Sequence, residues 1–161
     1  MKPLTRALVI VNLVILLGYT LWYVRAKETI LAEGELLLLQ LAPVDPRSLI
    51  QGDYMVLRYA ATNEYRTDTI PKTGYLIVRP DADGVAQPVR LQASVDELDP
   101  NEYAINYTRD DWRMNIGAES FFFEEGKGET FSSAKYGGLR VDKKGNSLLV
   151  GLYDGDRRAL R

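Results

Sequence analysis

Residues 7–24, ALVIVNLVILLGYTLWYV, form an uncharged apolar stretch near the start of the 161-residue chain. As an α-helix this stretch would be about 27 Å long, close to the ~30 Å hydrocarbon thickness of a bilayer. Eleven of its residues are Leu, Ile or Val, and they favour membrane insertion by about 3–7 kcal/mol before polar contributions. The stretch therefore predicts a transmembrane helix.

An uncleaved anchor fits this stretch better than a cleaved signal peptide does. The apolar run is long for a signal peptide, and it ends in aromatic residues and Arg25 without a small-x-small cleavage site. Tyr19, Trp22 and Tyr23 gather at one end, where amphipathic rings prefer the membrane interface. The basic residues ahead of the run also suit a signal peptide, which is the alternative. A buried core helix is disfavoured because the run is apolar on every face.

The charges that flank the stretch are balanced. Lys2 and Arg6 precede it, and Arg25 and Lys27 follow it, so the positive-inside rule gives no clear direction. A short tail ahead of a signal-like span favours a cytoplasmic N-terminus. We therefore predict a single-pass protein, held in the lipid bilayer, with its C-terminal domain outside the cytoplasm.

Asn12 lies inside the predicted span. An amide in hydrocarbon prefers a hydrogen-bond partner, often on a second helix. Asn12 is therefore a candidate helix-contact residue, although a single Asn is also tolerated alone or against a backbone group.

Composition excludes several kinds of site. The chain has no Cys and no His, which removes disulfides, thiolate metal sites and the common zinc sites. Residues 1–30 carry four of the 20 basic and one of the 22 acidic side chains, so 16 basic and 21 acidic side chains remain in residues 31–161, a net charge of −5. An acidic domain without a basic run is a poor nucleic-acid binder. We predict no nucleic-acid partner, no cofactor and no metal.

The remaining sequence predicts one small, mainly β domain. Residues 1–33 hold the tail, the span and its helical extension, Gly34 is a helix stop, and residues 34–161 form the soluble domain. Residues 35–42 predict a strand buried on both faces. Other strands are predicted at residues 54–60, 74–79, 85–93, 103–107, 112–116 and 119–123, helical turns at 129–136, and a closing hairpin at 139–142 and 147–153. Many short strands with at most short helices favour a β-barrel or a β-sandwich-like domain.

The stretch GDYMVLRY at residues 52–59 is the most distinctive in the domain. The glycine can adopt a backbone conformation closed to other residues, the aspartate can accept backbone hydrogen bonds at a turn, and the tyrosines combine an apolar ring with a polar tip. A turn followed by a core strand, with alternate residues on opposite faces, would also explain this stretch. The candidate structural or binding residues are Gly52, Asp53, Tyr54, Leu57 and Tyr59.

These residues match GDYXXLXY, the motif that names a family of bacterial membrane-associated proteins, and the chain resembles that family over most of its length. The resemblance also rests on FFFEEGKGETF at residues 121–131, where Glu124 replaces an expected proline, and on KYGGLRVDKKGNSLLVGL at residues 135–152. It implies a protein of the bacterial inner membrane. It also implies an interaction role beside a multi-pass membrane protein rather than a particular activity.

Two enzymatic alternatives stand beside this interpretation. The order of span, apolar strand and Pro-x-x-Leu-x-x-Gly-Asp is similar to type I signal peptidases, but the run from Pro46 is one residue too long and Pro43 stands where the nucleophilic serine belongs. Ser48 has no recognisable base, and a lone serine is not activated. An envelope hydrolase using carboxylates near Asp53 is the second alternative.

Two acidic clusters resemble metal sites only loosely. Asp81, Asp83 and Gly84 resemble the opening of a calcium loop without its remainder, and Asp110 and Asp111 are adjacent. Both are more typical of solvated turns. Eight tyrosines follow the span, and they suit core and strand positions better than a ligand surface. The favoured function is therefore a non-enzymatic, membrane-tethered module that binds another membrane protein.

Overall fold

A computed structural model describes residues 3–42, 50–51 and 54–161 of the chain. Helix α1, Pro3–Glu33, is one continuous helix whose apolar part is exposed along its whole length. It ends at Gly34, whose N–H donates to the carbonyl oxygen of Ile30 (2.9 Å). The predicted helix and its stop are confirmed. The helix is long and apolar enough to be a membrane span or a signal sequence.

After α1, the described residues fold into short strands, as the alternation of apolar residues predicts, and into two short helices. The strands are β1 (Glu35–Gln40), β2 (Ile50–Gln51), β3 (Tyr54–Val56), β4 (Thr73–Pro80), β5 (Ala86–Gln92), β6 (Tyr103–Arg109), β7 (Met114–Asn115), β8 (Ser120–Phe122), β9 (Tyr136–Val141) and β10 (Ser147–Tyr153). The helices are α2 (Ala60–Asn63) and α3 (Gly128–Ser132).

The strands form three antiparallel sheets. Their orders are β1-β9-β10, β2-β3-β8 and β5-β4-β6-β7. Single bridges link the first sheet to residues next to the other two: Leu38 of β1 pairs with Val85, directly before β5, and Leu41, directly after β1, pairs with Tyr59, three residues after β3. Because these are isolated bridges rather than continuous ladders, the described strands do not close into a barrel. The predicted mainly β fold with short helices is confirmed. Of the two predicted forms, barrel and sandwich-like, the described strands do not adopt a closed barrel.

The core lies between these sheets, and two of its strands bury consecutive apolar side chains. Strand β1 buries Leu37, Leu38 and Leu39, and β4 buries Leu76, Ile77 and Val78. Three consecutive buried residues mean that both faces of each strand are covered. The predicted strand with two buried faces is confirmed at β1.

Helix α1 is attached firmly to the first sheet. It packs on β9 and β10, and Ile30 is its one buried residue among those described. Directly after the helix, Nη1 of Arg140 donates to the carbonyl oxygen of Gly34 (2.7 Å), and Glu35 pairs with Val141. The chain therefore passes from helix to sheet without a flexible linker.

Candidate functional site

Strand β3 and the residues directly after it carry three of the five motif residues that the sequence singles out. The strand pairs with β8, so that Tyr54 lies opposite Phe122 and Met55 opposite Phe121. Leu57 and Tyr59 are buried with Met55, whereas Arg58 is exposed. The predicted alternation of faces along this segment is confirmed. Gly52 and Asp53 lie outside the described residues.

Tyr59 is a structural residue of the core. Its side chain is 1% exposed, and its hydroxyl donates to the carbonyl oxygen of Ala118 (2.7 Å). Its ring lies over Gly137 of β9, where a Cβ would come within 2.9 Å of the ring. Burial first, and then the charge of Glu119, raise the pKa of Tyr59 far above its usual range. The hydroxyl is therefore a neutral donor that ties the motif to its surroundings in the core.

The other two motif side chains point in different directions. Leu57 lies in the core, and its N–H donates to the carbonyl oxygen of Glu119 (2.7 Å). Tyr54 is half-buried, and its ring centroid is 5.7 Å from that of Phe122, which is 73% exposed. Within the motif, Leu57 and Tyr59 therefore belong to the core, whereas Tyr54 packs against the exposed ring of Phe122.

A surface cleft lies directly beside the motif residues. It has a volume of about 260 Å³, and Leu57, Arg58 and Tyr59 line it together with Trp112 and Arg113. A second cleft of about 340 Å³ also borders Trp112 and Arg113 and reaches Arg66 and Asp68. We call Arg58, Asn63, Trp112 and Arg113 the Trp112 surface.

Trp112 stands at the centre of this surface and is 87% exposed. It lies in the turn between β6 and β7, where Oδ1 of Asp110 accepts the N–H groups of Trp112 and Arg113 (2.8 Å each). Asn115 donates to the other carboxylate oxygen (3.3 Å). The indole is therefore presented to solvent by a turn whose backbone is fixed.

The charged side chains among the four residues of the Trp112 surface are both arginines, and Asp110 and Asp111 stand directly before Trp112 in the chain. Arg58 and Arg113 are exposed and form no ion pair within the described part of the chain. Arg66 next to them is paired with Asp68 (2.8 Å). Glu119 is half-buried, and its carboxylate accepts the N–H of Ile116. This arrangement offers two guanidinium groups beside an exposed indole, which suits recognition more than proton transfer.

Among the described residues, the most deeply buried acidic side chain is that of Glu102, which lies outside the Trp112 surface. Its carboxylate is inaccessible to solvent and contacts Arg79 (2.9 Å) and Arg90 (2.8 Å). It also accepts the N–H of Asp99 (3.1 Å). Arg90 above all lowers the pKa of Glu102 to about 2. Because this carboxylate is ionised and covered, its role is to hold β4, β5 and the loop before β6 together.

One known protein family accounts for most of the chain. The family model described as GDYXXLXY protein matches residues 16–152, from within α1 to the end of the β9–β10 hairpin. The chain belongs to the GDYXXLXY family. No curated protein and no solved structure matches it.

In this GDYXXLXY protein the two acidic clusters that the sequence singles out are turn residues. Oδ1 of Asp81 accepts the N–H groups of Asp83 (2.9 Å) and Val85 (3.0 Å), and Asp110 orders the Trp112 turn. Backbone hydrogen bonds lower the pKa of both carboxyls. Across residues 3–42, 50–51 and 54–161, no group of three or more acidic side chains could hold a metal ion.

The remaining predicted residues fall into three groups. Asn12 is exposed on α1. Ser48, Pro43 and Pro46 lie outside the described residues, as does the Asp53 of the hydrolase alternative. The eight tyrosines after the span are all buried or half-buried, which is typical of core and strand positions.

The Trp112 surface was not predicted from the sequence. The sequence predicts a strand at residues 112–116, whereas β7 covers only Met114–Asn115 and Trp112 lies in the turn before it. The signal against a strand at Trp112 is the pair of aspartates before it, which favours a turn. The exposed residues beside it come from separate segments of the chain, so no local pattern connects them.

Proposed function

We propose that this protein is a membrane-anchored, non-enzymatic interaction module. Its domain lies outside the cytoplasm of a bacterium and binds another membrane protein through the Trp112 surface. The observation that carries the proposal is the exposed indole of Trp112, which a rigid turn presents beside Arg58 and Arg113.

The chemistry of this surface supports protein recognition. Tryptophan and arginine are among the residues most enriched where binding energy concentrates at protein interfaces. An exposed indole is costly in water, and a partner that covers it removes a large apolar area from solvent. Because the turn is already ordered by Asp110, little conformational entropy is lost on binding.

Three of the acidic residues, Glu102, Asp81 and Asp110, support a non-enzymatic role. Catalytic carboxyls work with accessible groups whose pKa lies near the operating pH. Glu102 is covered, and Asp81 and Asp110 accept backbone hydrogen bonds that lower their pKa. Each of these acids is engaged in holding the fold.

In the proposed anchor, the junction between helix and domain leaves no flexible linker between the apolar stretch and the first sheet. Ile30 is buried against the domain, and Gly34 is bound by Arg140.

Photocrosslinking in membranes tests this proposal. A benzoylphenylalanine at Trp112 should give an adduct with one partner protein, and the same probe at Val89, an exposed residue of β5, should not. In pull-downs with mild detergent, Trp112→Ala should reduce recovery of that partner about 30-fold, the effect of losing roughly 2 kcal/mol. Repeated recovery of the wild-type protein alone would count against the proposal.

A further inference from the structure

Asn12 and Ile30 lie on the same side of α1. At about 100° per residue, the sequence separation between positions 12 and 30 corresponds to about five full turns of an α-helix. Ile30 faces the domain, because it is the buried residue of α1 and the helix packs on β9 and β10. Asn12 therefore points to the same side as the domain, about 27 Å further down the helix axis.

The amide of Asn12 has no hydrogen-bond partner within the described part of the chain. By contrast, the hydroxyl of Thr20 donates to the carbonyl oxygen of Leu16 (2.8 Å) in its own helix. Asn12 lies about 5 Å from the middle of the apolar stretch, where no water is available. A hydrogen-bond partner from another helix would therefore stabilise this amide.

Other side chains of the apolar stretch continue the same face of α1. Positions within about 40° of Asn12 on an ideal helix form what we call the Asn12 stripe. The stripe comprises Leu8, Asn12, Leu16, Tyr19 and Tyr23. The rings of Tyr19 and Tyr23 stack with their centroids 6.4 Å apart. The stripe is exposed along its length, so it offers one amide and two hydroxyls to a neighbour beneath the domain.

A second copy of this chain does not fit there. Copies inserted in the same direction have parallel helices, which pack about 8–10 Å apart. The second helix would continue past Val24 to Glu33, about 13 Å. Near Ile30 it would meet β9 and β10 of the first copy, which pack on this side of α1. If the two helices crossed at Asn12 with an angle of about 40°, their axes would be only about 17 Å apart sideways at the level of Ile30. The domain is roughly 35 Å wide, so the second helix would still collide with it.

We propose that the Asn12 stripe binds a transmembrane helix of another protein, and that this helix ends at the membrane surface beneath the domain. The inference rests on the proposed function, because it names the part of the partner that the anchor contacts. A helix that turns back at the surface, as in a multi-pass protein, avoids β9 and β10. The contact requires a hydrogen-bonding side chain or small residues opposite Asn12.

Phase-dependent photocrosslinking of the full chain in membranes tests the geometry. Probes at Leu8 and Leu16 lie on the stripe, and matched probes at Ile10 and Leu21 lie on the opposite side of the helix, about half a turn from Asn12. Adduct yield on the stripe should exceed that on the opposite side at least five-fold. The crosslinked partner peptide should belong to an apolar span that ends near the surface.

Moving the amide tests its part in the contact without changing composition. The double variant Asn12→Val, Val14→Asn moves the amide about 200° around the helix. It should lower the stripe adducts about three-fold or more. The variant Ile10→Val is the control and should leave them unchanged. Equal yields in the double variant and the wild type would overturn the role of Asn12.

Self-association is tested separately, and the chain is suited to this because it has no Cys. A single Asn12→Cys variant should give no disulfide-linked dimer under oxidation, whereas a dimer would overturn the proposal. Stripe probes that label only lipid, or label all faces equally, would also overturn it. If the Trp112 probe gives a partner adduct and the stripe probes give none, this inference is wrong and the proposed function stands. If neither probe gives a partner adduct, both proposals are wrong.

Discussion

At the scale of single residues, Glu102 shows how the domain uses a buried charge. Two arginines and one backbone N–H satisfy its carboxylate, and its pKa falls from 4.5 to about 2. The folded state therefore holds the ionised form more tightly than the unfolded chain does. This contribution to stability is complete above about pH 4.5 and is lost as the pH falls toward 2.

Glu102→Gln should lower the free energy of unfolding at pH 7 and flatten its dependence on pH between 4.5 and 2. Urea unfolding at several pH values measures both effects. Glu124→Gln is the control, since Glu124 pairs with Lys127 at an exposed position and such pairs contribute little. A Glu102 variant with the full acid dependence of the wild type would contradict the assignment.

The raised pKa of Tyr59 leads to a second prediction about stability, this time at alkaline pH. Its folded pKa is raised, so the unfolded chain ionises first and stability falls as the pH rises above about 10. Tyr59→Phe should remove this component. At pH 7 it should cost about 1–3 kcal/mol, because the carbonyl of Ala118 loses its donor. Denaturant unfolding of the wild type and the variant at neutral and at alkaline pH measures both effects: the loss of stability at pH 7 and the weaker dependence of stability on alkaline pH.

At the scale of secondary structure elements, β9 depends on a glycine that makes room for the motif. A Cβ on Gly137 would meet the Tyr59 ring at 2.9 Å, and neither neighbour can retreat inside the core. Gly137→Ala should therefore destabilise the fold by about 1–3 kcal/mol. Thermal or denaturant unfolding measures this loss.

Gly151→Ala on the adjacent strand β10 is the matched control, because its nearest contact would lie at 3.9 Å. The double variant Gly137→Ala, Tyr59→Ala should lose less stability than the sum of the two single variants, since the clash needs the ring. Additive losses would mean that Gly137 matters for a reason other than Tyr59.

The strands show what local sequence can and cannot predict here. Period-two alternation predicts the buried faces around β3 because side-chain direction is a local property. Pairing is not local: β1 pairs with β9, near the other end of the chain, and nothing in residues 35–40 specifies that partner. The choice between barrel and sheets depends on two isolated bridges, and the exposure of Trp112 depends on residues from separate segments.

At the scale of the whole molecule, Ile30 couples the helix to the domain. Ile30→Ala should lower the free energy of unfolding by about 2–5 kcal/mol, the usual cost of truncating a buried isoleucine. The neighbouring Leu31 is 52% exposed, so Leu31→Ala should change it by less than about 0.5 kcal/mol. Equal effects of the two variants would mean that the junction is not packed as described.

The direction of the proposed anchor decides which compartment the Trp112 surface meets. Two basic residues lie on each side of the apolar stretch, so the positive-inside rule is balanced. The proposed function requires the domain to lie outside the cytoplasm. A C-terminal alkaline phosphatase fusion should be active, and a C-terminal green fluorescent protein fusion should be dark.

Because the charge balance is close, the orientation should respond to small changes. Replacing Lys2 and Arg6 with Ser and adding two lysines after Lys27 should invert a measurable fraction of the molecules, which the paired reporters would register as opposite shifts. An active fluorescent fusion with silent phosphatase in the wild type would place the Trp112 surface in the cytoplasm. The same anchor geometry would still set the partner helix beneath the domain, because the shared side of Asn12 and Ile30 does not depend on which way the helix is inserted.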